Sequence, residues 1–251
     1  MGEKFKEFYF TGDQRLHNLD ELEKEYERKS GDISSYRGRI FCPECRIAEL
    51  AFTHKTSRKR AFLSTLPSSN HMADCSLQHE PVSRREIKNY VSTLNEKQMQ
   101  DRLEAMLNRM LPKEREENQI PANDEGDNPF TILVRREGQP NTRKCIPRKS
   151  LNSWFDKDEE NNVFLFYGSV HLVVKEFKTK FEETQYRLIV KTKQDGDWKI
   201  KTTIYRGKNK DEIDQQQNYD LAIIGQIRFY NNLPQIKTVS SSSIMFRRSQ
   251  G

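Results

Sequence analysis

Three of the four cysteines and one histidine are placed to do chemistry together, as Cys42-x-x-Cys45 and, after 25 intervening residues, His71-x-x-x-Cys75. Two close pairs carried on turns can present three thiolates and an imidazole tetrahedrally, which is the requirement of a structural zinc ion. The Cys-Pro-Glu-Cys run suits a tight turn, because proline fixes one φ and leaves backbone amides free to point at the sulfurs. His79, four after Cys75, is the alternative third ligand if that segment is helical. His54 sits beside a basic run and reads as a surface residue. No His-Glu-x-x-His or His-x-Glu signature is present. A closed, structural site is therefore expected rather than an open, catalytic one. Unrelated buried cysteines are the competing account of the same residues.

Between the two pairs the sequence predicts a hairpin. Ala48 to His54 alternates as a strand and Ala61 to Leu66 as its return, with Lys55, Arg58, Lys59 and Arg60 making a basic tip that either contacts phosphate or is simply solvated. Phe5, Phe8, Tyr9 and Phe10 are too aromatic for a disordered tail and are expected to pack on this module. Asn18 to Lys29 reads as a short helix capped by Asn18 or Asp20 and stopped at Gly31. The Phe-Cys-Pro-Glu-Cys run, the alternating strand and the later His-x-x-x-Cys resemble the N-terminal zinc-binding region of bacterial competence-protein-like (CoiA-like) sequences, over roughly residues 36–80. In that family a nuclease-like domain follows, and no matching carboxylate-and-lysine core is found in this chain. The resemblance implies a zinc module in a prokaryotic DNA-handling setting and does not imply nuclease activity.

The remaining elements must hold this module and supply whatever else the chain does. Of 251 residues, 34% are hydrophobic and 32% charged, so cores are compact. The net charge is +6, and it is unevenly spread. Residues 1–128 hold 21 basic and 23 acidic side chains, whereas residues 129–251 hold 22 basic and 14 acidic. The basic half points to a polyanionic partner. No apolar run reaches the length of a membrane span or a signal peptide, so no membrane is expected; thiols in a metal pattern fit a reducing cytoplasm.

Ser83-Arg-Arg-Glu86 is a capping box that opens a helix with Ile87, Tyr90, Val91 and Leu94 as its stripe. Asn95 caps a second helix that buries Met99, Leu103, Met106, Leu107, Met110 and Leu111 and ends at Pro112. Residues 113–128, with six acids, two bases, proline and glycine, read as a linker. The domain reading is therefore a zinc-binding module with a helical hairpin over 1–112, an acidic linker over 113–128, and a basic β domain over 129–251.

After residue 129 the texture becomes alternating. Short strands are expected at Thr131 to Arg135, Asn141 to Pro147 and Leu151 to Phe155. Longer ones are expected at Val163 to Lys175, Thr184 to Lys193, Trp198 to Arg206, Tyr219 to Arg228, and Pro234 to Phe246 with a break. A helical turn is expected at Lys210 to Gln217. Three strands, a short helix and two strands is the plan of an OB-fold, which this half resembles by layout alone. Gly168 and Gly225 suit the bends that let one strand serve two sheet edges. A generic β-sandwich or another small barrel is the competing architecture. The fold class is thus α+β, a small zinc module with helices followed by an all-β, OB-like barrel.

Alternation then defines a face. Tyr186, Leu188 and Val190 are placed inward with Trp198, Ile200 and Ile204. Arg187, Lys191, Lys193, Lys199, Lys201 and Tyr205 are placed outward, with Tyr167 and His171 of the first long strand as supplements. Bases neutralise phosphates and rings stack nucleobases, so single-stranded DNA or RNA is the expected partner. A solvated lysine face is the bland account. No glycine-rich phosphate loop, nucleophile elbow or paired-carboxylate strand end is evident, so a binding protein is favoured over an enzyme, with a protein–protein adaptor as the other class.

Overall fold

The computed structural model describes residues 5–111, 128–135, 138, 140–194 and 196–249. The chain divides into two compact units, Met1–Glu80 with Asn118–Thr131, and Pro81–Glu117 with Ile132–Gly251. Its class is mixed α+β. Of the expected linker 113–128, all but Asn128 lies outside the described residues.

The first unit is built from short pieces that bury few but large side chains. Strands β1 (Glu7–Phe10), β2 (Arg15–Asn18) and β3 (Ile40–Phe41) form a sheet in the order β2-β1-β3, with Phe8 opposite His17 and Tyr9 opposite Phe41. Helix α1 (Leu19–Arg28) follows Asn18, whose N–H is taken by the Glu21 carboxylate at 3.2 Å. The chain leaves it through Gly31 at φ 96°, a left-handed position that glycine adopts without a Cβ penalty. Strands β4 (Leu50–Thr53) and β5 (Phe62–Thr65) make the antiparallel hairpin anticipated between the ligand pairs. Phe5, Phe8, Leu19, Leu22, Ile40, Leu50 and Leu63 are buried together as this unit's core.

In the second unit, helix α2 (Arg84–Thr93) starts with the reciprocal cap expected, Glu86 N–H donating to Ser83 Oγ at 3.3 Å and Ser83 N–H to the Glu86 carboxylate at 2.8 Å. Asn95 and Gln98 cap α3 (Glu96–Met110) the same way. Ahead of the barrel lie β6 (Thr131–Val134) and β7 (Thr142–Cys145), which pair with each other, and β8 (Arg148–Ser150), followed by turns where a strand over 151–155 was expected.

Five long strands close a barrel: β9 (Val163–Lys178), β10 (Thr184–Gln194), β11 (Asp197–Gly207), β12 (Asn218–Tyr230) and β13 (Leu233–Thr238). Their spatial order is β9-β10-β11-β13-β12, and β12 returns to β9 to complete the ring; only the β11–β13 contact is parallel. One strand serves two edges, because residues 163–171 of β9 pair with β12 while residues 171–178 pair with β10. Gly225 permits β12 to approach β13, since a Cβ there would meet Ile236 Cγ2 at 2.6 Å. The expected last strand is two: β14 (Ile244–Arg248) turns away after β13 and pairs with the other edge of β12.

The interior holds Val170, Leu172, Leu188, Val190, Ile204, Leu221, Ile223, Ile227 and Ile236, the alternate residues of the five strands. Two expectations fail in this unit. Helices α2 and α3, grouped from the sequence with the cysteine module, belong to the barrel unit. The buried stripe of α3 lies against β12 and β14, and Gln100 donates to the carbonyls of Ser242 and Ile244 at 2.6 and 3.1 Å. Residues 210–217 form no helix, only one turn closed by Gln217 N–H on the Asp214 carbonyl at 3.1 Å. Their polar groups are met by side chains instead, Arg206 gripping Asp211 at 2.8 and 2.9 Å and the Tyr219 hydroxyl accepting from Asp214 N–H at 2.9 Å.

Candidate functional site

Two turns bring the cysteines and histidine together. Arg46, directly after Cys45, adopts φ 57°, and its N–H closes back on the Cys42 carbonyl at 3.0 Å, while Cys42 N–H donates to the Ala48 carbonyl at 2.7 Å. This folds Cys42 and Cys45 into one knuckle at the end of β3. The second pair follows β5, where Cys75 N–H closes a turn on the Met72 carbonyl at 2.9 Å. The four ligand atoms of Cys42, Cys45, His71 and Cys75 all lie within 4.8 Å of one another, close enough to bind a metal ion. All three cysteines are buried. His79 is not one of the four; it follows a single 3-10 turn at Ser76–Gln78 in extended conformation.

The supporting residues are ones that spacing could not reveal. The Thr65 hydroxyl lies 3.0 Å from His71 Nε2, so Nδ1 is the nitrogen left facing the sulfurs. The Phe5 ring stacks on the imidazole at 5.8 Å. Glu44, between the first two cysteines, is 1% exposed, an unusual place for a carboxylate unless its oxygens are met. They are: Ser76 donates its N–H at 2.9 Å and its hydroxyl, and the Asn128 amide donates at 2.6 Å while also reaching the Asp74 carbonyl. Glu44 therefore ties the Cys42–Cys45 knuckle to the segment around Cys75. A proline followed by an acid inside a Cys-x-x-Cys pair was visible in the sequence, but nothing there identified the acid's distant partners.

Proximity decides the protonation of the metal-free cluster. Hydrogen bonding to the Cys42 and Cys45 sulfurs outweighs burial and pushes His71 up to about 10. Cys42 and Cys75 hold the Cys45 thiol far below its ordinary value, and Cys75 is pushed up by Cys42 and Cys45. The cluster thus shares protons that a cation would displace.

At the basic hairpin tip, Lys55 is paired with Glu23 at 3.7 Å and with Glu27 of α1, and His54 stacks on Tyr26 at 4.7 Å. Arg58 and Lys59 are exposed in the turn, and Arg60 is held by a neighbouring interaction.

On the barrel, the outward residues of β9, β10 and β11 form rows across three strands. Lys175, Arg187 and Tyr205 make one row, and His171, Lys191 and Ile200 another, with Lys193 opposite Trp198 beyond them. Arg187 lies 5.2 Å over the Phe177 ring, Phe177 is 6.5 Å from the Tyr205 ring, and His171 is 5.7 Å from Trp198. Tyr205 is 55% exposed.

Three residues expected on this face are elsewhere, and two expected in the core, Trp198 and Ile200, are on it. A β-bulge lets Val190 pair with Thr202 but Lys191 with Ile200, so Lys201 is an extra residue and the alternation of β11 reverses before it. Ile200 consequently lies beside Lys191, 63% exposed, while Thr202 and Ile204 keep the core positions. Lys199 pairs with Thr192, on the other side of the sheet. Lys201 donates to the Ser153 carbonyl and sits 4.4 Å over the Phe155 ring. Tyr167 is buried, in the part of β9 that pairs with β8 and β12 rather than with β10.

Comparison with known proteins finds no matching protein-family model, no matching curated protein and no matching solved structure. Among the described residues no helix is long and apolar enough to cross a membrane.

Proposed function

We propose that this chain binds single-stranded nucleic acid on the outer face of β9, β10 and β11, and that Cys42, Cys45, His71 and Cys75 hold a structural zinc ion that keeps the first unit folded. For the metal, the argument is distance. Zinc–sulfur bonds of about 2.3 Å set tetrahedral edges of about 3.8 Å between sulfurs and about 3.5 Å from sulfur to imidazole nitrogen. The cluster has 3.8 Å between Cys42 and Cys75, and 3.6 and 3.4 Å from Cys45 and Cys75 to His71 Nδ1. Four protein ligands leave no open position, which favours a structural role.

For the partner, the carrying observation is the mixture on one sheet face. Cations alone would serve solubility or guard an edge. Here Arg187, Lys191 and Lys175 alternate with Tyr205, Phe177, Trp198 and His171 on adjacent strands. Rings beside cations suit a backbone that is neutralised while its bases stack, at about 1–3 kcal/mol per base. The five-strand Greek-key ring supports the OB-like reading, in which the second and third strands form the binding face. A prokaryotic DNA-handling setting belongs to the same proposal through the competence-protein-like resemblance of residues 36–80.

Labelled single-stranded DNA, single-stranded RNA and duplex, titrated across a salt series, test it. Single strands should bind best, with log affinity falling linearly in log salt. Arg187→Ala with Lys191→Ala should weaken binding to every sequence and flatten the salt slope by roughly 1.4, about 0.7 for each single-strand phosphate that is no longer neutralised. Tyr205→Ala should weaken binding while leaving the slope, because stacking releases no counterions. Unchanged affinity in both variants would overturn the proposal and leave the protein–protein adaptor in front. Degradation of the probe with a divalent metal would instead identify a nuclease.

A further inference from the structure

We infer that the second unit carries a separate anion site, a cavity between α2 and the outer face of β12 and β13 that accepts a phosphate-bearing ligand of about nucleotide size. The cavity measures about 410 Å³, within the range of small-molecule sites. Its walls come from elements far apart in the chain. Arg84 and Lys88 stand one turn apart on α2, and Arg228 and Lys237 project from the two strands.

The register explains the convergence. Ile227 and Ile236 point into the barrel core, so Arg228 and Lys237, each next to one of them, point out. On α2, Arg84 and Lys88 share a face that continues to Val91 and Ser92, and this face meets those strands. Four exposed cations thus line one space, and among the described residues no carboxylate lines it or pairs with any of them. Two like charges four residues apart weaken a helix, and two more across the gap add to the repulsion. A cavity of this volume is roughly 9 Å across, within one Debye length at ordinary ionic strength, so their fields sum inside it. An anion is the complement that relieves this.

The remaining lining indicates which anion. Thr238 and Ser240 add hydroxyls to the lining, that of Ser240 shared with Ser242 at 3.2 Å, and Val91 and Val239 supply an apolar surface. Phosphate oxygens suit the first set, and the flat body of a nucleoside suits the second. A simple halide would use only the charge. The ligand is either a free phosphorylated molecule or a terminal phosphate on a nucleic acid chain, and the two share this chemistry.

The site lies on different strands from the β9–β10–β11 face, so it is tested independently of that proposal. Calorimetric titration of the full chain with inorganic pyrophosphate and with ADP should give saturable binding that weakens with salt. A 5′-phosphorylated oligonucleotide should bind tighter than its 5′-hydroxyl twin if the natural source is a nucleic acid end, and equally if it is a free molecule. Lys88→Ala and Arg228→Ala should each weaken binding of pyrophosphate and ADP roughly tenfold, the scale of a hydrogen bond to a charged group. Both residues are exposed, so circular dichroism and the Tm should not move. Arg187→Ala with Lys191→Ala should leave pyrophosphate affinity unchanged. Absence of saturable pyrophosphate and ADP binding at low salt, or equal binding by wild type, Lys88→Ala and Arg228→Ala, would overturn the site.

Discussion

At His71 a single hydroxyl sets which ring nitrogen meets the sulfurs, since Thr65 Oγ1 occupies the space 3.0 Å from Nε2. Outer partners of this kind cost about 10- to 100-fold in metal affinity when removed. If the cluster holds the zinc ion proposed above, Thr65→Val should retain it but release it to a weaker chelator, whereas Cys45→Ser should lose it and unfold the first unit, as read by elemental analysis and near-UV circular dichroism. Full folding of metal-free wild type would exclude a structural metal. Proton release gives a second readout. With His71 pushed up to about 10 in the metal-free cluster, zinc binding at neutral pH must displace its proton, and affinity must fall as pH falls. Titration in buffers of different ionisation enthalpy measures that release.

Among the elements, β11 shows how one inserted residue redirects a strand. Because Lys201 is the bulged residue, Ile200 faces out and Ile204 faces in. Ile204→Ala should cost about 2–5 kcal/mol, the usual range for emptying a packed site. Ile200→Ala should fall within about 0.5 kcal/mol of wild type, as surface changes do. Urea denaturation separates these outcomes, and equal costs would place the bulge elsewhere. Strand β2, just before α1, offers a pH test. His17 is raised above its ordinary value chiefly by its hydrogen bond to Glu21 at 2.7 Å, with Asp13 at 2.9 Å adding to it against burial. A raised histidine stabilises fully below its unfolded value of about 6.5 and loses that contribution as pH rises through the folded value. The stability difference between wild type and His17→Gln should accordingly shrink on going from about pH 6 to about pH 9. A difference that grew with pH would contradict the ion pairs.

At the scale of the molecule, the barrel unit begins at Pro81 rather than after the acidic segment. Met99, Leu103, Met106, Leu107 and Met110 are all buried on α3, each contributing about 1.5–3 kcal/mol when fully covered. Arg247 reaches the Leu111 carbonyl at 2.7 Å and the Asn108 side chain, fastening β14 to the same helix. A fragment from Pro129 to Gly251 should thus be markedly less stable than one from Pro81 to Gly251, with a lower urea midpoint and exposed apolar surface that binds a hydrophobic dye. Equal stability would mean that α3 is dispensable to the barrel.

The amino-acid sequence by itself determined whatever depends on near neighbours. Cys42-x-x-Cys45 and Cys75, with His71 or His79, mark out a candidate metal cluster, Ser83 and Glu86 declare a helix start through mutual hydrogen bonds, and the alternation of β10 declares Leu188 and Val190 as interior. Tertiary structure alone decided the rest. Alternation gives the two sides of a strand but not a change of phase within it, so Ile200 and Lys199 were misplaced until the pairing with β10 revealed the bulge. The stripe on α3 shows that the helix must be covered, not by what, because Leu and Met pack against any apolar surface of matching shape. Glu44 gave no local sign of its bond to Asn128, 84 residues away. Arg84 and Lys237, each ordinary in its own segment, gain a shared meaning only where the fold sets α2 against β13 around one cavity.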